Sequence, residues 1–188
     1  MTTQTPQAHL LRAATFAARV HAGHRRKGAA AEPYVNHVLD VAALLAGHGA
    51  PEEVVIAGLL HDTVEDSGDD PDPITHSCLV AEFGEAVAAL VAEATDDKSL
   101  PKETRKALQV RHATHKSNGA KMLKLADKTS NLLAVVASPP SGWDHARCVE
   151  YVGWAGRVAA GLRGVSPGLE AAFDSAYRVA MTKLAAEA

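Results

Sequence analysis

The chain has 188 residues, 47% of them apolar, 22% charged and only 4% aromatic, with a formal net charge of −3. Those proportions exclude disordered and fibrous classes and bound the chain to one globular domain, 1–188 with its core at about 7–186, large enough to bury a dry pocket. Uninterrupted apolar runs, such as 132–137, fall far short of the ~20 residues of a membrane span, and the N-terminus lacks a basic start followed by an apolar stretch.

The 37 alanines among 188 residues, together with the absence of alternating β-branched runs, predict an all-α chain. Apolar positions Leu10, Leu11, Ala14, Ala17, Ala18 and His21 recur at helical spacing and predict a first helix over 7–22, ended by Gly23. A basic loop, Arg25-Arg26-Lys27, leads to Pro33 and a second helix over 36–47. Pro51-Glu52-Glu53 opens a third over 51–66, almost wholly apolar until His61, Asp62, Glu65 and Asp66 arrive together. An acidic loop over 67–73 precedes helices over 74–83 and 85–94, and a break at 95–101 precedes a basic helix over 102–116. Helices over 121–137, 144–162 and 168–186 complete a compact multi-helix bundle. Cys78 and Cys148 stand far apart with no CxxC, which fits a reducing compartment, so a cytoplasmic location is expected.

Charge is unevenly placed. Residues 52–97 hold thirteen acids and no Lys or Arg, whereas 98–128 hold nine Lys and Arg against Glu103 and Asp127. Acid that suits a metal and base that suits an anion can therefore stand side by side. For Lys106, Arg111, Lys116, Lys121 and Lys124 the expected role is an exposed helical face. Trp143, Tyr151 and Trp154 are expected as packing anchors. No nucleic-acid motif accompanies the basic stretch.

A continuous third helix would stack His61 on Glu65 and Asp62 on Asp66, four residues apart on one face. Burying several unpaired charges costs several kcal/mol each, so the cluster calls for a compensating cation, and a divalent metal supplies it compactly. The further ligands available are His37, in Tyr34-Val35-Asn36-His37, and Asp127, in Lys124-Leu125-Ala126-Asp127-Lys128. The other eight histidines, His9, His21, His24, His48, His76, His112, His115 and His145, lack such company and are expected at the surface or as satisfied core residues. Two imidazoles and two carboxylates suit Mn²⁺, Fe²⁺, Co²⁺ or Mg²⁺ better than a structural zinc. Lys98, Lys102 and Arg105, with Arg25, Arg26 and Lys27, are the cations available to phosphate.

His61-Asp62-Thr63-Val64-Glu65-Asp66, taken with Pro33-to-His37, Thr95-to-Lys102, Lys124-to-Lys128 with Asn131, and Gly142-Trp143 through Arg147, Tyr151 and Trp154, resembles the HD-domain phosphohydrolases. The likeness is to the small alarmone hydrolases related to the hydrolase half of RelA/SpoT proteins, and it runs almost end to end. It implies an HD-domain bundle that removes the 3′-pyrophosphate of ppGpp and pppGpp with one Mn²⁺ ion. It implies His37, His61, Asp62 and Asp127 as metal ligands, Glu65 and Asp66 as the catalytic pair, and Asn131 near metal and ribose. Arg26, Lys27, Lys102 and Arg147 match positions lining the phosphates and base. The chain departs from the family pattern at Gly28-Ala29-Ala30-Ala31-Glu32 and at Val38, and its 68–78 segment is long and acidic. Two other readings stay open: an HD phosphohydrolase on another phosphorylated nucleotide, such as an NADPH 2′-phosphatase, and a non-catalytic nucleotide-sensing module. Membrane partners are not expected, and self-association is left open.

Overall fold

The computed structural model describes residues 5–68 and 71–187, and Asp69 and Asp70 of the acidic loop lie outside the described residues. The chain folds in the order α1 Pro6–Val20, α2 Tyr34–Gly47, α3 Glu52–Leu60, α4 Thr63–Asp66, α5 His76–Phe83, α6 Glu85–Ala94, α7 Lys102–His112, a 3₁₀ turn Ala113–His115, α8 Asn118–Ala137, α9 His145–Ala160 and α10 Pro167–Ala186. Among the described residues there is no strand, only isolated bridges at Arg25–Pro33 and Gly28–Pro140. The all-α expectation is met.

Local signals set most helix starts. Thr5 accepts from the Ala8 amide ahead of Pro6, Ser117 from Ala120, Asp144 from Arg147 and Ser166 from Leu169, each giving one orphan N–H of the first turn a partner. Glu93 reinforces the start of α8 by accepting from both the amide and the hydroxyl of Ser117, at 2.9 and 2.7 Å.

Two helices form the interior. Every residue of α3 from Val54 to Leu60 is buried, and the helix packs against α1, α2, α6 and α8. α8 packs against α2, α3, α6, α9 and α10, with polar residues among its buried positions. Gly58 lets α2 and α3 approach closely, since a Cβ there would stand 2.6 Å from Leu45 Cδ1. That closeness brings the start of α2 to the end of α3.

The third helix is not continuous over 51–66. α3 ends at Leu60 and α4 starts at Thr63, with His61 and Asp62 in the turn between. The cause is local competition for carbonyls. His61 Nδ1 donates to Gly58 O at 2.8 Å and Thr63 Oγ1 to Leu60 O at 2.7 Å, taking acceptors that the backbone ladder would use. The basic helix also ends early, its last turn tightening to 3₁₀ at Ala113, and α8 starts three residues before the expected 121.

Ile56 in α3 is fully buried and Leu11 in α1 is 69% exposed. Ile56→Ala should destabilise by about 2–5 kcal/mol and lower Tm by on the order of 10 °C. Leu11→Ala should stay within about 0.5 kcal/mol of wild type in the same dichroism melt.

Candidate metal centre and active site

Four side chains from three segments meet at one point. His37 comes from the first turn of α2, His61 and Asp62 from the α3–α4 turn, and Asp127 from the middle of α8. His61 Nε2 lies 3.0 Å from Asp62 Oδ2 and 3.9 Å from Asp127 Oδ1, while His37 Nε2 lies 3.4 Å from Asp127 Oδ1 and 3.7 Å from Asp62 Oδ2. Neighbouring ligands on one ion with bonds of about 2.1 Å stand roughly 3 Å apart, so the spacing fits a single divalent cation. The donor atoms are aimed for it. His61 commits Nδ1 to the Gly58 carbonyl, and its Nε2 is buried with no hydrogen-bond partner among the described residues. His37 places Nδ1 3.0 Å from Ser130 Oγ, leaving Nε2 for the centre. Outer partners fix the carboxylates. Tyr34 Oη donates to Asp62 Oδ2 at 2.7 Å, Lys128 Nζ to Asp127 Oδ2 at 2.8 Å, and Asn131 Nδ2 to Asp127 Oδ1.

The electrostatics follow from this packing. Burial acts against the ionised form of Asp127, but Lys128 and the imidazoles outweigh it and hold the carboxyl well below its usual range. Asp62 is held low in the same way, with His61 the chief counterweight to burial. Lys128 is pushed up because Asp127 overcomes its desolvation. Burial pulls His61 toward neutrality, yet Asp62 and Asp127 prevail and raise it to about 8, whereas His37 ends below its ordinary value, burial being the larger influence.

Glu65 and Asp66 stand beside this centre on α4, half-buried. Burial, and then the Asp62 charge, raises both carboxyls above their ordinary values. Lys98 Nζ lies 3.9 Å from Glu65 Oε1 and 3.8 Å from Asp66 Oδ1, and Arg105 lies 3.8 Å from Glu65. Lys27, Lys102, Arg105 and Arg147 line a cavity of about 350 Å³ with Asp96 and Tyr151. A neighbouring cavity of about 320 Å³ is lined by Arg26, Lys27, Tyr34, Asn131, Trp143 and Tyr151. Arg26 donates to Asn131 Oδ1 at 2.8 Å, which ties this second cavity to Asp127 through one amide. All thirteen candidate site residues thus lie at the centre or on the surfaces next to it.

Some expectations are corrected. Lys124 is buried, 6% exposed, because α8 is enclosed on nearly all sides, and Lys106 is half-buried in an ion pair with Glu150 at 2.8 Å. Arg111, His112 and His115 are exposed as expected. Trp154 is an anchor: it is buried and its indole donates to Lys106 O, with Lys128 Nζ 4.9 Å from its ring. Trp143 and Tyr151, whose rings lie 5.3 Å apart, also wall the cavities. His21 is no isolated core residue: burial pushes it down to about 4, and it pairs with His24. Tyr34, Ser130 and Lys128 act on the ligands without having been singled out; the available signal was polar residues recurring at 124, 127, 128, 130 and 131 inside an otherwise apolar helix.

Comparison with known proteins agrees with the geometry. The HD domain model matches residues 13–147. The chain is 44% identical over 173 residues to the guanosine-3′,5′-bis(diphosphate) 3′-pyrophosphohydrolase MESH1 of Homo sapiens, covering 91% of this chain and 94% of that protein. It is 39% identical to the Drosophila melanogaster protein of the same description, covering 92% and 95%. A solved structure of a metazoan ortholog of SpoT that hydrolyses ppGpp superimposes with a TM-score of 0.84 at 39% identity, covering 94% of this chain and 97% of that one.

Two outcomes follow for metal binding. Tyr34→Phe removes the donor to Asp62 and should weaken Mn²⁺ binding about 10–100-fold, read by calorimetric titration. In the metal-free protein His61 keeps its proton up to about pH 8, so the cation must displace that proton. Apparent affinity should therefore fall as pH drops below 8, by up to about tenfold per unit, and a flat titration between pH 8 and 6 would contradict the raised value.

Proposed function

The chain belongs to the HD-domain family, and from that we infer that it is a hydrolase removing the 3′-pyrophosphate of guanosine tetra- and pentaphosphate, ppGpp and pppGpp. The observation that carries the reading is the cluster of His37, His61 and Asp127, with Asp62 Oδ2 3.7 and 3.0 Å from the two imidazoles and two raised carboxyls beside it. These four residues are proposed to hold one divalent cation, Mn²⁺, which when bound supplies Lewis acidity at the phosphoryl oxygens and acidifies a water.

The protein groups have separable tasks. Glu65 or Asp66 accepts the proton of the attacking water, a role for which a carboxyl raised by burial is better matched than an ordinary one. As the new oxygen–phosphorus bond forms, the bond from phosphorus to the ribose 3′-oxygen breaks. That oxygen leaves as a hydroxyl on receiving the proton that Glu65 or Asp66 took from the water, and the products are pyrophosphate and GDP or GTP. Lys98 and Arg105, already facing Glu65, offset negative charge gathering on the phosphoryl oxygens. The substrate carries a second phosphate chain on the 5′ side. The basic cavity of Lys27, Lys102, Arg105 and Arg147 is proposed to hold phosphate, and the adjoining Arg26, Tyr34 and Asn131 surface to hold ribose and base. Among the described residues no helix is long and apolar enough to cross a membrane. Free Cys78 and Cys148 support a reducing, cytoplasmic setting.

Purified protein with Mn²⁺ should release one pyrophosphate per ppGpp, and chelation or Asp62→Ala should abolish release. Glu65→Gln should lower kcat by about 10²–10⁴-fold with metal still bound. NADPH assayed alongside separates the readings: faster 2′-phosphate release than pyrophosphate release would replace the alarmone, and tight nucleotide binding without product would replace the enzyme with a sensor.

A further inference from the structure

Two histidines expected to be bland are brought together outside the metal centre. His21 closes α1, His24 stands in the following loop, and Asp66 ends α4; one ligand atom from each lies within 4.8 Å of the other two. His21 is 1% exposed. The Nδ1 atoms of the two rings are 3.1 Å apart, and His21 Nε2 is buried with no hydrogen-bond partner among the described residues. A hydrogen bond between the two rings would make one nitrogen the donor and the other the acceptor. Whichever way the proton sits, His21 then buries an unmatched N–H or an unmatched lone pair at Nε2. The spacing also suits a different occupant. Two nitrogens held by one ion at about 2.1 Å, with angles between square and tetrahedral, stand about 3.0–3.4 Å apart.

We infer a second transition-metal site at His21, His24 and Asp66, separate from the centre built on His37, His61, Asp62 and Asp127. Two imidazoles and one carboxylate suit a borderline ion, and the affinity order of the divalent metals puts Mn²⁺ lowest, so the fitting occupant is Zn²⁺ or a close analogue such as Co²⁺. The loop is held in place for it. The His24 amide donates to His21 O and the Tyr34 amide donates to His24 O, both at 3.0 Å, so the ring of His24 projects from backbone pinned on both sides. Tyr34 joins the two clusters: its ring centre lies 4.9 Å from that of His21 while its hydroxyl binds Asp62. The consequence for turnover rests on the proposed function. Asp66 cannot ligate a second ion and also accept a proton from water, so occupancy at the second site leaves that task to Glu65 alone.

Equilibrium dialysis of the full chain against Zn²⁺, followed by elemental analysis, tests the site without reference to activity. The wild type should retain two ions per chain and His24→Gln one. Asp66→Asn, which keeps the shape of the side chain, should also retain one, as should His61→Ala, which removes a ligand from the first centre instead. Retention of two ions by both His24→Gln and Asp66→Asn overturns the second site. So does a wild-type count of one that His61→Ala abolishes and His24→Gln leaves intact, a result under which the first centre still stands.

Discussion

The structure is organised around a cluster of ionisable groups that a helical core cannot hold without compensation. Asp127 is buried, its neighbours His37 and His61 are buried, and Asp62 is partly accessible. An isolated carboxylate in such surroundings would cost several kcal/mol. The protein offsets this in two layers. Lys128 faces Asp127 directly, and the two inward nitrogens, His37 Nε2 and His61 Nε2, are left for an ion. Removing one partner from such a set strands the others as uncompensated buried charges.

That constraint explains why two helices depart from regularity or composition. A continuous helix from 52 to 66 would aim His61 and Asp62 along one spiral. The turn between α3 and α4 sets His61 Nε2 3.0 Å from Asp62 Oδ2 and 3.9 Å from Asp127 Oδ1 while His61 anchors its other nitrogen on the helix it has just left. In α8 the requirement is met by composition: Lys124, Asp127, Lys128, Thr129 and Ser130 are buried in a helix whose neighbours on several sides are apolar. Close packing of α2 on α3 at Gly58 then fixes how near His37 comes.

Much of this was legible in the sequence. The abrupt change from an apolar run to His61-Asp62 and Glu65-Asp66 marks a site, His37 and Asp127 are available as further ligands, and the resemblance to the HD-domain hydrolases implies that these four belong together. Glycine, proline and capping residues place most helix boundaries within a few residues, and α6 falls at 85–94 as read. Two kinds of feature were not legible. Side-chain capture of the Gly58 and Leu60 carbonyls breaks a helix that periodicity continues, because periodicity does not register competition for backbone acceptors. Burial of Lys124 and Lys128, and the pairing of His21 with His24, depend on which helices enclose them, and that is tertiary information.

The placement of positive charge separates two tasks that net charge conceals. Lys128 sits inside, pinned to Asp127, and is unavailable to a ligand. Lys27, Lys98, Lys102 and Arg147 are exposed on segments that surround the centre, where they remain hydrated until a phosphate arrives. An exposed lysine adds little to stability, so these cations are poorly explained as structural pairs. They cluster around a cavity wall shared by Tyr151 and Trp143, while acids dominate the preceding stretch of chain. A chain with net charge −3 therefore presents one locally cationic surface, suited to an anionic polyphosphate, beside one buried acidic centre, suited to a divalent cation. A substrate with phosphate on only one side of its ribose would engage part of that surface, and discrimination would then depend on how many of these cations the second phosphate chain reaches.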